Sequence, residues 1–231
     1  MNATGSHEQS WAHDIAHEPV AGIVLAGGQS RRMGTDKSLL PFYGRPLIQH
    51  VCDQLRLLVS DILIAANSDG RFSFLNLPVI ADEVPGQGPL RGIASALAAS
   101  HHDLNFVIAC DIPWVDRVLL KFLLQEARGC DCVMPVTREG YYEPLFAVYR
   151  KNALPAMLSA LESGQRRVTA LFPYCRVRTI VVPDRRWLDN VNTLEDYQRV
   201  VRAGGLDAWQ EASPSKVAES DHVMDMQGRR L

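Results

Sequence analysis

At 231 residues the chain is long enough for one sizeable α/β domain with tails, and its hydrophobic share of 47% is ordinary for a soluble globule. A formal net charge of −2 offers no basic footprint for nucleic acid, so any cationic site must be local. No apolar run is long enough to span a bilayer, and the N-terminus lacks the charged-then-apolar layout of a secretion signal; five scattered cysteines, an odd number, are expected to be reduced thiols in a cytoplasmic protein.

Met1 to Pro19 is polar and aperiodic, with His7, His13 and His17, and reads as a disordered leader rather than a metal-binding tract. Val20 to Ala26 is a short, β-branched apolar run bounded by glycine, the pattern of a buried parallel strand. Gly27 and Gly28 break it, Gln29 to Asp36 follows with Arg31 and Arg32, and Lys37 closes the segment just before an apolar SLLPF. A strand end that opens into glycines, two guanidiniums and an ammonium suits a polyphosphate: backbone N–H groups form a nest, and the cations neutralise oxygens. A Walker A loop is excluded because no glycine directly precedes Lys37, and the dinucleotide fingerprint lacks its third glycine.

Leu39 to Phe42 is expected to be extended, and Gly44-Arg45-Pro46 to turn the chain. Pro46 suits the first position of a helix reaching about Val59, with Leu47, Val51, Leu55 and Leu58 on one face. Asp61 to Asn67 reads as the second strand and Leu77 to Ala81 as a short third, which ends at Asp82. Asn67 then falls at the carboxyl edge, where α/β sheets place ligands. Gly86 to Gly92, GQGPLRG, precedes a helix predicted over Ile93 to Ser100. It is either an ordinary capped connection or a helix N-terminus facing an anion. Asn105 to Cys110 is the clearest later strand, and Asp111-Ile112-Pro113 follows at its end. A carboxylate there either caps the helix expected from about Arg117 or holds Mg²⁺ against phosphates.

Cys132 to Val136 is another strand, Arg138 to Tyr141 a turn, and Pro144 to Tyr149 a returning strand, together a hairpin-like insertion. Cys130 and Cys132 are too closely spaced for a zinc pair and read as structural. A helix from Lys151 to Ser163 is ended by Gly164, and Gln165-Arg166-Arg167-Val168 opens the next. The two arginines are either a solvated face or phosphate ligands. Val177 to Val182 is the last strand. Thr193 reads as an N-cap and Asp196 as its capping-box acid, for a helix reaching about Ala203. Asn190 and Asn192 before it have ordinary turn chemistry. Gly204-Gly205 ends the domain, taken as residues 20–205, and 206–231 is expected to be a loose tail. The alternation of strands and helices predicts three layers around a mostly parallel sheet.

Leu25 to Lys37, LAGGQSRRMGTDK, resembles the signature loop of nucleotidyltransferases that activate a phosphorylated acceptor with an NTP. The form L-A-G-G, with R-M-G and a following D-K, is similar to the molybdenum cofactor guanylyltransferases, which join GMP to molybdopterin. The sister cytidylyltransferases typically read L-A-A-G, so Gly27 favours guanine, the missing methyl leaving room for a purine. GPLRG resembles the family's G-P-L-A-G loop, CDIP its C-D-x-P motif, SGQRRV a segment near the pterin phosphate, and NVNT the start of N-x-N-T-P-E. The chain departs from the family in three ways: a spacing one residue shorter between Met33 and Lys37 than in some members, Thr35 where glycine often sits, and Leu194 in place of proline.

The resemblance covers roughly Val20 to Val201 and implies a Rossmann-like fold of the nucleotide-diphospho-sugar-transferase type. It implies that Leu25, Ala26, Gly27, Gly28, Lys37, Asn67, Asp82, the Gly88-Pro89-Leu90 turn and Asp111 bind GTP, and that Asp111 holds Mg²⁺. Lys37, helped by Arg31 or Arg32, is the implied catalytic cation, while Arg166, Arg167, Asn190 and Asn192 are implied to face the acceptor, with the hairpin as its wall. The Lys37 amine and the Asp111 carboxylate must then meet in the folded chain. Other molybdenum cofactor biosynthesis proteins and the receiving molybdoenzymes are the implied partners. A cytidylyltransferase, a sugar-1-phosphate nucleotidyltransferase and a non-catalytic GTP-binding carrier are the alternatives.

Overall fold

The computed structural model describes residues 18–27, 36–66, 70–82, 87–182 and 190–202. Strand β1 (Val20–Leu25) is buried at all six positions, as a central parallel strand covered on both faces must be. It pairs in parallel with β4 (Asp61–Ala65) on one side and β6 (Leu104–Ala109) on the other. A two-residue β5 (Val79–Ile80) extends the β4 side. Beyond β6 come β8 (Phe146–Arg150), β7 (Cys132–Thr137) and β9 (Val177–Val182), giving the order β5-β4-β1-β6-β8-β7-β9. Within this sheet only β8 runs against the others.

The expected hairpin pairing is present, β7 and β8 running antiparallel, but it lies within the main sheet rather than as an insertion beside it. The returning strand is not the arm of a side wall but lies inside the main sheet, between β6 and β7. Phe146 to Tyr149 are all buried, so both faces of β8 need cover, which a peripheral hairpin cannot supply. Phe106 and Phe146 meet edge-to-face across the β6–β8 junction, with ring centroids 4.9 Å apart.

Helices α1 (Leu47–Leu55) and α3 (Arg117–Gln125) cover one face, packing on Val24, Ile64, Phe106, Ile108 and Val148. Helices α2 (Pro89–Ala99) and α4 (Leu154–Glu162) cover the other, on Ile23, Leu63, Val107, Met134 and Tyr149. Each such side chain, fully buried, contributes about 1.5–3 kcal/mol relative to exposure. The result is the expected three-layer α/β architecture. Among the described residues no helix is long and apolar enough to cross a membrane.

Several helix boundaries differ from expectation: helix α1 starts at Leu47, with Pro46 as N-cap rather than first residue, and ends at Leu55 rather than near Val59. Helix α2 begins at Pro89 rather than Ile93, with Gly88 as N-cap, because proline is tolerated at the first helical position, where no N–H partner is needed. After Arg167 the chain forms a 3₁₀ helix, Val168–Tyr174, containing Pro173, in place of an α-helix.

A third, small apolar cluster joins distant parts of the chain. Strands β2 (Pro41–Phe42) and β3 (Arg45–Pro46) form a tight hairpin whose two turn residues, Tyr43 (φ 48°) and Gly44 (φ 79°), are both left-handed, as a two-residue hairpin turn requires. Helix α5 (Leu194–Arg202) packs beside it: Phe42, Leu47 and Trp114 enclose Val191 and Val200. The Tyr43 hydroxyl donates to the Val201 carbonyl (3.3 Å) and the Tyr197 hydroxyl to that of Pro41. Apart from Glu18 and Pro19, the expected leader and the tail lie outside the described residues.

Candidate active site

The central strands stay paired to their carboxyl ends. Ala26 N donates to Ala65 O (2.9 Å) and Cys110 N to Leu25 O (3.0 Å). This delivers Ala26–Gly27, Ala66 and Cys110–Asp111 to one edge. The helices that follow β1 and β5 lie on opposite faces, so the edge opens as a crevice at the point where strand order reverses, the usual ligand position in such sheets. Leu25 and Ala26 are buried, which leaves their main chain to meet a ligand. Among the described residues an added Cβ at Gly27 would touch only Ala65 O, at 3.9 Å.

Lys37 is held by its predecessor. Asp36 Oδ1 accepts from Ser38 N (3.0 Å) and Ser38 Oγ (2.6 Å), capping the short 3₁₀ turn Lys37–Leu39, while Asp36 Oδ2 pairs with Arg71 (2.5 Å). The ammonium of Lys37 lies 3.9 Å from Asp111 Oδ2 and donates to Asn192 Oδ1 at 3.2 Å. The two groups on which the expected chemistry depends are therefore neighbours, 74 positions apart in sequence.

Asp111 does not cap a helix. That work falls to Asp116, whose Oδ1 accepts from Leu119 N at 2.9 Å at the start of α3. Burial pushes the Asp111 carboxyl above the usual carboxylate range, and Lys37 opposes the shift. Among the described residues no group of three or more His, Cys, Asp or Glu side chains could hold a metal. A single carboxylate beside a phosphate site nevertheless fits Mg²⁺, which keeps several waters and shares its coordination with substrate phosphates.

The glycine loop meets the same edge. Gly88 has φ 76°, and a Cβ there would come within 3.3 Å of Arg166 O, so only glycine fits. Arg166, expected on the acceptor side, thus has its main chain against the Gly88 turn, and the Arg166 and Arg167 side chains are exposed. The Leu90 side chain is fully buried, so only its backbone can face a ligand. Gly92, within α2, lets the helix close on β1: a Cβ there would lie 3.3 Å from Leu25 Cδ2 and 3.8 Å from Asp82 Oδ1. Burial raises the Asp82 pKa, opposed by Arg91 and the Ser95 hydroxyl. Asp82 Oδ1 is buried with no hydrogen-bond partner among the described residues, as is Asn190 Oδ1.

Gly28, Arg31, Arg32 and Asn67 lie outside the described residues. Sequence reasoning missed the Asn192–Lys37 bond and the Arg71–Asp36 pin, which join residues 155 and 35 positions apart with no local pattern to signal them. A cavity of about 470 Å³ at the opposite, amino edge of the sheet is lined by Ala21, Arg56, Asp61 and His102, none of them expected site residues.

A model of the MobA-like NTP transferase domain matches residues 22–179. A probable molybdenum cofactor guanylyltransferase of Carboxydothermus hydrogenoformans is 36% identical over 190 residues, 79% of this chain and 95% of that one. A second, from Pelotomaculum thermopropionicum, is 33% identical over 183 residues, 76% and 88% of the two chains. Among solved structures, molybdopterin-guanine dinucleotide biosynthesis protein A of Archaeoglobus fulgidus superimposes with a TM-score of 0.68 at 27% identity, covering 79% of this chain and 97% of its own. With the family's domain spanning both the β1 loop and Asp111, and relatives matched over nearly their full length, the chain belongs to the MobA-like NTP transferase family of nucleotidyltransferases.

Proposed function

We propose that this protein transfers GMP from GTP to the terminal phosphate of molybdopterin, forming the guanine dinucleotide cofactor and releasing pyrophosphate. The observation that carries the reading is the meeting of the Lys37 ammonium and the Asp111 carboxylate, 3.9 Å apart at the carboxyl edge, beside a strand end with room, among the described residues, at Gly27. The names of the relatives supply the substrate pair.

The acceptor phosphate is already an anion near neutral pH, so the residues need to align and neutralise rather than remove a proton. The β1 end and the Gly88 turn hold the triphosphate against main-chain N–H groups. Lys37 turns to the α-phosphate, where negative charge grows as the phosphoryl group moves from pyrophosphate to the acceptor oxygen. Asp111 holds Mg²⁺, which when bound neutralises the phosphate oxygens. The orphaned Asp82 Oδ1 accepts a hydrogen bond from the nucleoside. Arg31, Arg32, Arg166, Arg167 and Asn190 are assigned to phosphate and acceptor contacts on the motif alone. We place the protein in the cytoplasm, working with other molybdenum cofactor biosynthesis proteins.

Pyrophosphate release tests the reading directly, with GTP and CTP in competition and with molybdopterin or a hexose phosphate as acceptor. Release that needs both GTP and molybdopterin is expected. Preference for CTP assigns the chain to the cytidylyl branch, release with a hexose phosphate makes it a sugar nucleotidyltransferase, and binding without release makes it a carrier.

A further inference from the structure

The spacing within the Lys37–Asp111 pair is odd for its surroundings. Both side chains are largely covered, 17% and 24% exposed. A covered ammonium beside a carboxylate ordinarily closes to a direct, charge-assisted bond of about 2.8 Å. Here the gap stays at 3.9 Å while the ammonium sits 3.2 Å from a neutral amide oxygen, that of Asn192. The amide must present its oxygen, since its nitrogen cannot accept.

Asn192 is fixed from two directions. Its N–H donates to Asp196 Oδ2 (3.2 Å), within the capping box formed by Thr193 N to Asp196 Oδ2 (2.8 Å) and Asp196 N to Thr193 Oγ1 (3.1 Å). Its neighbour Val191 is fully buried beside Trp114 and donates to the Asp111 carbonyl at 2.8 Å. The α5 helix that follows is bonded to the β2–β3 hairpin, which begins four residues after Lys37. The amide is thereby keyed to the segment that carries the carboxylate and to the one that carries the ammonium.

The geometry points to Asn192 as a positioning residue for Lys37. Its oxygen draws the ammonium aside in the nucleotide-free site, so the Asp111 carboxylate stays open to the metal. The lysine then leaves a neutral amide, rather than breaking a direct pair with Asp111, when it turns to phosphate. This rests on the functional reading above and changes the role expected for Asn192, from contacting the acceptor to acting through the lysine.

The test is GTP binding with Mg²⁺ by calorimetry, in the absence of any acceptor, on wild type, Asn192→Ala, Lys37→Ala and the double variant. Asn192→Ala is expected to weaken acceptor-free binding about tenfold, because the released ammonium closes on Asp111 and that direct ion pair must then break before nucleotide and metal bind. In the Lys37→Ala background the same change is expected to alter binding by less than about twofold, because the two act as one unit. Asn192→Asp, close in shape and able to keep the strap in place, should also weaken binding, since a carboxylate grips the ammonium too firmly. Unchanged acceptor-free binding with a raised KM for molybdopterin overturns the inference, as do additive losses in the double variant or wild-type binding by Asn192→Asp. Wild type that fails to bind GTP overturns the functional reading as well, so the two failures are distinguishable.

Discussion

Two carboxylates at opposite edges of the sheet have met opposite fates. Asp131, just before β7, is 12% exposed, and Arg176 clasps it on both oxygens: Nη2 to Oδ1 at 2.8 Å, Nε to Oδ2 at 3.3 Å, with the Arg176 main-chain N–H adding 2.8 Å to Oδ2. That grip holds its carboxyl below the usual range. Asp111, just after β6, is 24% exposed, yet its cation stands off at 3.9 Å and its carboxyl is pushed up. Burial raises the Asp111 carboxyl against a cation held at a distance, while at Asp131 the direct guanidinium bonds outweigh burial. A carboxylate already satisfied by a bidentate guanidinium is finished structure, whereas one left short of its partner has capacity for a ligand.

The sharpest way to break this contrast is at the carboxyl edge. Lys37→Ala and Asp111→Asn are each expected to lower turnover by about two to three orders of magnitude, as for the loss of a preorganised transition-state charge, with little change in melting temperature. Pyrophosphate release and a thermal melt on the same samples check both halves of the statement; a variant turning over at the wild-type rate removes that residue from the mechanism. Asp131→Asn should do the reverse, lowering the melting temperature and leaving turnover within about twofold. Its sign with pH is fixed: a carboxyl with a depressed native pKa adds stability that is present above its unfolded value of 3.8 and is lost as pH falls through the native one. The variant should therefore lose less stability than wild type on acidification, as urea melts at pH 7 and pH 3 would show.

The smallest effect expected is at His50, packed edge-on to Phe42 and Trp114, with ring centroids 4.7 and 4.8 Å away. Burial chiefly, with Arg45 adding to it, lowers its pKa from 6.5 to about 4. The unfolded chain takes up this proton first, so stability falls as pH drops from 6.5 toward 4, by about 1–2 kcal/mol once solvent screening of this half-buried ring is allowed for. His50→Phe should flatten that part of the stability profile.

Local chemistry made much of this molecule legible in advance. Val177–Val182 was readable as a strand from its β-branched run, and Thr193 with Asp196 forms the capping box its spacing announced. The strand after the Arg138–Tyr141 turn was legible as a strand but not as the middle of the sheet, because strand order is set by which faces find cover, a tertiary matter. The start of α2 was hidden by Gly88 and Pro89, which read as loop residues and serve as N-cap and first helical residue. At the site, motif order along the chain pointed to Lys37 and Asp111, which the Asp36-capped 3₁₀ turn and the end of β6 deliver. The standoff between them was invisible, because it depends on an amide 155 positions from the lysine.

The strap that carries this amide has a bearing on how the protein is made. Lys37 leaves the ribosome early, and the first six strands of the sheet can begin to pair behind it, since domains tend to organise from the N-terminal side during synthesis. Residues 190–202 emerge after every described strand. A nascent chain thus carries the carboxyl-edge crevice without the brace that holds the Asn192 amide, which arrives only when translation has passed helix α5.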